Sequence, residues 1–184
     1  TVDGDTSTND MVSFFSVKKT ERVSLTPLNK NDLSKFQNEL NEVAIELAKK
    51  IVIDGEGAKK LIEIEVKGAK NNSQAKNVAF SIANSLLVKT AIAGEDANWG
   101  RIIMAIGKSS ASINPNSITI LIGEHLIINK GEVSKSYSEK ELTKYLRSNE
   151  ILITVDLFLG KGTSKVWTCD LTKKYIEINA DYRS

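Results

Sequence analysis

Cysteine and histidine are almost absent from this chain of 184 residues, which contains one of each. Cys169 alone cannot form an internal disulfide, and we expect it to be a buried, inert thiol. His125 alone excludes a metal site built on several histidines, and we expect it at a turn or at the end of a strand. The sequence therefore predicts neither a disulfide framework nor a metal centre.

Long apolar runs and an excess of one charge are also missing. No apolar stretch approaches the ~20 residues that span a bilayer. The 25 basic and 23 acidic residues are mixed along the chain, without the basic stripe and interleaved aromatics typical of nucleic-acid binding. We therefore expect neither nucleic acid nor a membrane as a partner. The polar N-terminal residues do not resemble a signal peptide, so we expect a cytoplasmic protein.

What the chain does have is enough length and apolar content for a core. Hydrophobic residues make up 41% and charged residues 26% of the sequence, which is typical of a globular protein. We expect a lobe of residues 1–110 and a smaller lobe of residues 111–184, with a weak boundary near 111–116. The two lobes together are small enough to count as one domain.

Apolar spacing predicts helices and strands in mixed order. Residues 32–53 have helical periodicity, with Asn31 or Asp32 as the cap and Asp54-Gly55 as the stop. We interpret the apolar stripe of this helix as core: Leu33, Phe36, Leu40, Val43, Leu47 and Ile51.

Two further helices are predicted over residues 73–88, with Leu86 among the inward positions, and over residues 138–146, with Ser138 as the cap. Residues 89–100 are predicted to be a polar loop. Alternating or continuous apolar residues predict strands over 61–66, 118–122, 126–128, 151–159 and 175–178. The sequence thus predicts a mixed α/β fold.

The first ten residues are the most informative stretch: Thr1-Val2-Asp3-Gly4-Asp5-Thr6-Ser7-Thr8-Asn9-Asp10. Hydroxyl and carboxylate side chains of this density suit a polar pocket. An N-terminal Thr1 would combine a nucleophile with its own base, because an α-amine titrates near ~7.7–8.0 and can accept the hydroxyl proton. Trimming by an aminopeptidase or an arbitrary end of the chain would also place a threonine first.

Here the sequence resembles the β chain of the glutamate N-acetyltransferase family, also called ornithine acetyltransferase. The resemblance begins with the first ten residues and continues, in family order, to the last residue. Its further motifs are Asp54-Gly55-Glu56-Gly57-Ala58, Val88-Lys89-Thr90-Ala91, Asp96-Ala97-Asn98-Trp99-Gly100-Arg101-Ile102, Trp167-Thr168-Cys169-Asp170-Leu171-Thr172 and Ile178-Asn179-Ala180-Asp181-Tyr182-Arg183-Ser184.

The resemblance implies an enzyme formed when a precursor cuts itself before Thr1. This β chain would pair with an α chain that supplies the oxyanion hole and further substrate contacts, in an α2β2 heterotetramer. The fold implied is an N-terminal-nucleophile-like sandwich. The reaction implied moves an acetyl group from N2-acetylornithine to glutamate through an acetyl-Thr1 ester, within arginine biosynthesis. No cofactor or metal is implied, although acetyl-CoA serves some members as an alternative donor.

Four residues carry the site that the resemblance implies. Thr1 would be the catalytic nucleophile and a substrate contact, and Glu56, Asn179 and Ser184 would bind substrate. Taken by themselves, Glu56 could be a turn residue between two glycines and Asn179 a structural residue on a terminal strand. The carboxylate of Glu56 suits the δ-ammonium of acetylornithine but repels the γ-carboxylate of glutamate. We assign no catalytic role to the motif of residues 96–101.

Two other functions stay open at this stage. An amidase or aminopeptidase would use the same Thr1 but let water resolve the acyl-enzyme, so that acetate would be released without glutamate. A non-catalytic subunit or binding module would use Thr1 for no chemistry at all.

Overall fold

A six-stranded mixed sheet forms the centre of the molecule. The computed structural model describes residues 1–6, 11–15 and 29–182. The strands lie in the order β4-β3-β2-β5-β1-β6, in which β1 and β5 are parallel and all other neighbours are antiparallel. In chain order they are β1 (Leu61–Ala69), β2 (Thr119–Ile122), β3 (His125–Asn129), β4 (Glu132–Val133), β5 (Glu150–Asp156) and β6 (Gly162–Cys169).

Six α-helices flank the sheet in the described part of the chain. They are α1 (Lys30–Ile53), α2 (Asn72–Ala83), α3 (Leu86–Ala93), α4 (Trp99–Gly107), α5 (Glu139–Leu146) and α6 (Lys173–Asp181). Strands and helices alternate in mixed order, which confirms the predicted mixed α/β class.

The two faces of β1 have different neighbours. Ile62, Ile64 and Val66 are fully buried in the main core, which they share with the inward side chains of α2. On the opposite face, Glu63 lies beside Trp167 of β6 and receives a hydrogen bond from its indole nitrogen at 2.8 Å. Alternation along the strand thus separates an apolar face under α2 from a half-exposed face on which α1 ends.

Helix α1 has nearly the predicted bounds but a different cap. Asn29 precedes it, and its side-chain oxygen accepts from the backbone N–H groups of both Asn31 and Asp32 at 3.0 Å. The prediction of Asn31 or Asp32 as the cap is therefore wrong by two or three positions. The stop at Asp54 is confirmed, since that residue is the C-terminal cap.

The prediction that the α1 stripe is core is wrong for the described residues. The side chains from Leu33 to Ile51 in this stripe are 36–54% exposed, and only Val52 of the helix is buried. The physical reason is the position of the helix, because α1 reaches the sheet only near its C-terminal end. There Val52 packs with Leu61 and Cys169. Cys169 is buried, as expected.

The predicted helix over 73–88 and loop over 89–100 are also wrong in detail. Asn84 ends α2, and the hydroxyl of Ser85 accepts from the backbone N–H of Val88 and so begins α3. The break turns Leu86 outward, where it is 59% exposed. Residues 89–93 are helical, and α4 begins at Trp99.

The predicted strand over 175–178 is wrong, because this segment belongs to α6. Thr172 caps the helix by accepting from the backbone N–H of Lys174 at 3.2 Å. Tyr175 and Ile178 are half-buried while the two residues between them are exposed, which is helical and not strand spacing. The other predicted strands are confirmed with shifted ends, including β3, which His125 begins as expected.

Strands from both predicted lobes share the one sheet. Strand β1 precedes the proposed boundary near 111–116, whereas its two neighbours, β5 and β6, follow it. The division into residues 1–110 and 111–184 stays a prediction.

Candidate functional site

The segment Thr1–Thr6 lies along the end of β6. The α-amino group of Thr1 donates to the carbonyl of Trp167 at 2.9 Å, and the Thr1 hydroxyl donates to Oδ1 of Asn84 at 3.0 Å. Gly4 has a φ of +94° and packs against the Asn84 side chain. A side chain at Gly4 would be strained by this left-handed backbone and crowded by the amide.

The buried side chain of Lys89 binds this segment through the backbone of Val2. Its side chain is 1% exposed, and Nζ donates to the carbonyls of Val2 and Cys169 at 2.5 and 2.6 Å and to Oγ1 of Thr168 at 2.9 Å. Three acceptors satisfy the ammonium group, which compensates for its removal from water. Sequence reasoning missed this role, although a lysine inside an apolar helical run was a signal for it.

Burial affects the acid–base properties of both amino groups. Loss of hydration lowers the pKa of Lys89 from its ordinary value. Burial, followed by the nearby charge of Lys89, lowers the pKa of the Thr1 α-amine. A lower pKa increases the neutral fraction of this amine near pH 7, which is the form that could accept a proton.

A tight turn between α1 and β1 presents Glu56 beside α6. Gly57 has a φ of +70°, and a Cβ there would lie 2.7 Å from Cβ of Lys174. The carbonyl of Gly57 accepts from the hydroxyl of Thr172 at 2.8 Å. The turn after α1 is thus fixed to the first turn of α6, and the side chain of Glu56 remains exposed.

Helix α6 brings Asn179 to Glu56. Nδ2 of Asn179 donates to Oε2 of Glu56 at 2.8 Å and to the backbone carbonyl of Tyr175 at 3.0 Å. One turn earlier, the hydroxyl of Tyr175 donates to Oδ2 of Asp3 at 2.8 Å. Because of this hydrogen bond, then burial and the neighbouring carboxylates, the pKa of Tyr175 is raised to about 12.

The four predicted site residues are only partly brought together. Glu56 and Asn179 are hydrogen-bonded although 123 positions separate them. Among the described residues, neither forms a hydrogen bond with Thr1. Thr1 instead lines a cleft of about 240 Å³ beside α1, α2 and β6, whose lining includes neither Glu56 nor Asn179. Ser184 lies outside the described residues.

The motif of residues 96–101 is held by contacts within the fold. Arg101 donates to the carbonyl of Leu87 at 2.9 Å and lies 3.8 Å from a carboxylate oxygen of Asp96. Trp99 packs against the main core. These contacts give the motif a structural role in the fold, and we assign it no catalytic role.

Two other kinds of site are absent from residues 1–6, 11–15 and 29–182. No group of three or more histidine, cysteine or acidic residues there could hold a metal ion. No helix in that part of the chain has the length and apolar character needed to cross a membrane.

Known proteins resemble this chain over its whole length. The arginine biosynthesis bifunctional protein ArgJ of Agrobacterium fabrum (strain C58) is 48% identical over 187 residues, which are 100% of this chain and 45% of that protein. The protein of the same name from Geobacillus kaustophilus is 49% identical over 184 residues, 100% of this chain and 44% of that protein. This chain therefore spans less than half the length of the curated relatives it matches.

A solved structure shows the same fold. The crystal structure of the arginine biosynthesis bifunctional protein argJ from Bacillus halodurans matches with a TM-score of 0.90 and 49% identity, covering 99% of this chain and 85% of that chain. The family model described as the ArgJ family matches residues 1–184. Because this match extends from the first residue to the last, the chain belongs to the ArgJ family.

Proposed function

We propose that this chain is part of an acetyltransferase that moves the acetyl group of N2-acetylornithine to glutamate. The observation that carries the proposal is the hydrogen bond of 2.8 Å between Asn179 and Glu56. The family resemblance assigns both residues to the substrate site, and the fold brings them into contact from distant parts of the sequence. Membership of the ArgJ family, whose curated members are named for arginine biosynthesis, supports the same reaction.

The Glu56–Asn179 pair suits the cationic side chain of ornithine. The amide of Asn179 binds one carboxylate oxygen of Glu56, and the other oxygen accepts no hydrogen bond from the described residues. That free oxygen can accept from an ammonium group in a charge-assisted hydrogen bond. We propose that Glu56 binds the δ-ammonium and that Asn179 holds the carboxylate in place.

Glutamate needs a different partner for its side chain. Its γ-carboxylate would lie close to a like charge if it bound directly to Glu56, and like charges repel. We propose that a cation from the part of the enzyme outside this chain receives the γ-carboxylate. The further substrate contacts that the resemblance implies for the α chain include a lysine, which would have the required charge.

The proposed chemistry is a transfer in two halves. A nucleophilic hydroxyl attacks the acetyl carbonyl, the amide C–N bond breaks, and the hydroxyl proton passes through a base to the departing ornithine amine. The amine of glutamate then attacks the acetyl ester, its proton returns to the nucleophile oxygen, and N-acetylglutamate leaves. The oxyanion formed in each half needs donors that we assign to the α chain.

Thr1 is our candidate for the nucleophile. The lowered pKa of its α-amine supports the role, provided that cleavage of a precursor frees this amine. Two observations do not support this role. The Thr1 hydroxyl is hydrogen-bonded to Asn84, and the cleft that Thr1 lines does not include the Glu56–Asn179 pair. Assignment of Thr1 therefore needs a test that identifies the acetylated residue directly.

That test is mass spectrometry of the complete protein after brief exposure to N2-acetylornithine without glutamate. We expect one polypeptide to gain the mass of one acetyl group and to lose it when glutamate is added. Peptide mapping then identifies the nucleophile. Acetylation at Thr1 would support our candidate, whereas acetylation at another residue would overturn Thr1 and leave the transfer intact. Acetate release that does not depend on glutamate would instead indicate a hydrolase.

The quaternary structure and the choice of acetyl donor are also proposals. We propose that the remainder of the enzyme is the α chain of one precursor and that two such pairs form an α2β2 heterotetramer. The share of the relatives that this chain covers, 45%, is compatible with one chain of a divided protein. We propose that no cofactor or metal takes part and that acetyl-CoA is at most an alternative acetyl donor.

A further inference from the structure

We infer that Tyr175 is a positioning residue for the substrate site. The hydrogen bond from Tyr175 to Asp3 holds α6 so that Asn179 contacts Glu56. We call this hydrogen bond the Tyr175–Asp3 latch. The inference rests on the proposed function, since it concerns the site that we assign to the acetylornithine side chain. Nothing in the family resemblance assigns a role to either residue of the latch.

The first observation is that α6 lies on the surface with little apolar packing. None of its residues is buried, and Ile176 is 66% exposed. A helix with few buried apolar contacts is easily displaced, so polar contacts determine its position. Three such contacts fix it: Thr172 to the Gly57 carbonyl, Tyr175 to Asp3, and Asn179 to Glu56.

The second observation is that Tyr175 and Asn179 are on the same face of the helix. Residues four positions apart are neighbours along a helix surface. The amide of Asn179 also donates to the backbone carbonyl of Tyr175, which joins the two positions directly. Movement of Tyr175 away from Asp3 would therefore move Asn179 away from Glu56.

The third observation is that Asp3 is itself a fixed acceptor. Its Oδ1 accepts from the backbone N–H of Asp5 at 2.8 Å, which leaves Oδ2 for the tyrosine hydroxyl. The Asp5 N–H and the Tyr175 hydroxyl hold the pKa of Asp3 below its ordinary value. The buried ammonium of Lys89 holds the neighbouring carbonyl of Val2. The latch thus connects a surface helix without buried residues to an anchored segment.

The consequence for the enzyme is a defect in substrate binding and not in chemistry. Without the latch, α6 would be free to move and the free oxygen of Glu56 would lose its orientation. We expect KM for N2-acetylornithine to rise about tenfold, which corresponds to the loss of a hydrogen bond to a charged group. We expect kcat to stay within about twofold, because the reacting atoms are not touched.

The experiment measures KM and kcat of the complete enzyme with Tyr175→Phe, Asp3→Ala and the double variant. Tyr182→Phe is the matched control, since Tyr182 caps the same helix and is 78% exposed. If the latch is one interaction, both single variants raise KM by a similar factor and the double variant raises it no further. Asp3→Asn, which keeps an acceptor oxygen, should restore part of the affinity.

Amide hydrogen exchange over residues 173–181 provides a second readout that does not depend on activity. We expect faster exchange in Tyr175→Phe than in Tyr182→Phe. A KM for Tyr175→Phe equal to that of the control, or effects that simply add in the double variant, would overturn the inference. A wild-type enzyme without acetyl transfer would overturn the proposed function instead, and the exchange rates would still decide whether the latch holds α6.

Discussion

Helices α1 and α2 have apolar stripes of the same kind, yet they lie in opposite surroundings. The inward side chains of α2, from Ala75 to Ala83, are fully buried against β1 and β6. The stripe of α1 is 36–54% exposed in the described structure, and only its last turns approach the sheet. Helical periodicity therefore identifies an apolar face, but it does not identify what covers that face.

The residues of the candidate site are also divided between buried and exposed surroundings. The segment Thr1–Thr6 is anchored on the buried side, where Lys89 and β6 hold it. Glu56 and α6 lie on the exposed side and depend on polar contacts. This contrast predicts large stability effects for substitutions on the buried side and mainly functional effects on the exposed side.

The largest expected effect is on stability, from matched truncations in the two helices. Ile82→Ala removes a side chain that is 0% exposed in α2, and we expect a loss of about 2–5 kcal/mol in the free energy of unfolding. Ile51→Ala in the α1 stripe, where the side chain is 40% exposed, should cost less than about 1 kcal/mol. Urea unfolding of the complete protein measures both.

An equal cost for the two truncations would break the comparison. It would show that the face of α1 is covered in the complete protein by residues outside those described here. The difference between the two variants in the free energy of unfolding therefore shows whether the apolar face of α1 is also more exposed than that of α2 in the whole enzyme.

A somewhat smaller effect is expected from Lys89→Met, which keeps the apolar stem but removes the ammonium group. The carbonyls of Val2 and Cys169 lose their donor, and we expect a loss of about 2–3 kcal/mol in the free energy of unfolding. Lys140→Met on the exposed face of α5 is the control and should have almost no effect. Equal stability of the two variants would contradict the assignment of Lys89 as an anchor.

Much of the fold could be predicted from the sequence, and the failures have specific causes. Spacing of apolar residues was sufficient for the strands β1, β2, β3 and β5, because their periodicity reflects burial. It also located α1, whose apolar face is exposed in the described structure. It failed for α6, because the short apolar run of residues 175–178 resembles a strand, although the half-buried residues of this run are three positions apart, which is helical spacing. It also failed for Lys89, because its charge suggested a loop and the three acceptors that satisfy it come from distant residues.

The site was predictable only through family motifs. No spacing rule connects Glu56 with Asn179, which meet because α6 returns to the turn after α1. The Tyr175–Asp3 latch was not predicted, since its two residues are 172 positions apart in the sequence. In addition, Tyr175 lies in a helix where the sequence predicts a strand. The role of Thr1 was inferred from chemistry and resemblance, and it stays a prediction.

The central claim is that the Glu56–Asn179 pair binds the side chain of acetylornithine, and kinetics of Glu56→Gln in the complete enzyme test it most directly. Glu177→Gln on the same helix as Asn179 is the control, because Glu177 contacts only Lys174 among the charged side chains described. We predict that Glu56→Gln raises KM for N2-acetylornithine more than tenfold, as expected for a lost charge-assisted contact, while kcat falls far less and the control is unchanged. An unchanged KM in Glu56→Gln would contradict the account and leave Glu56 as a residue of the turn.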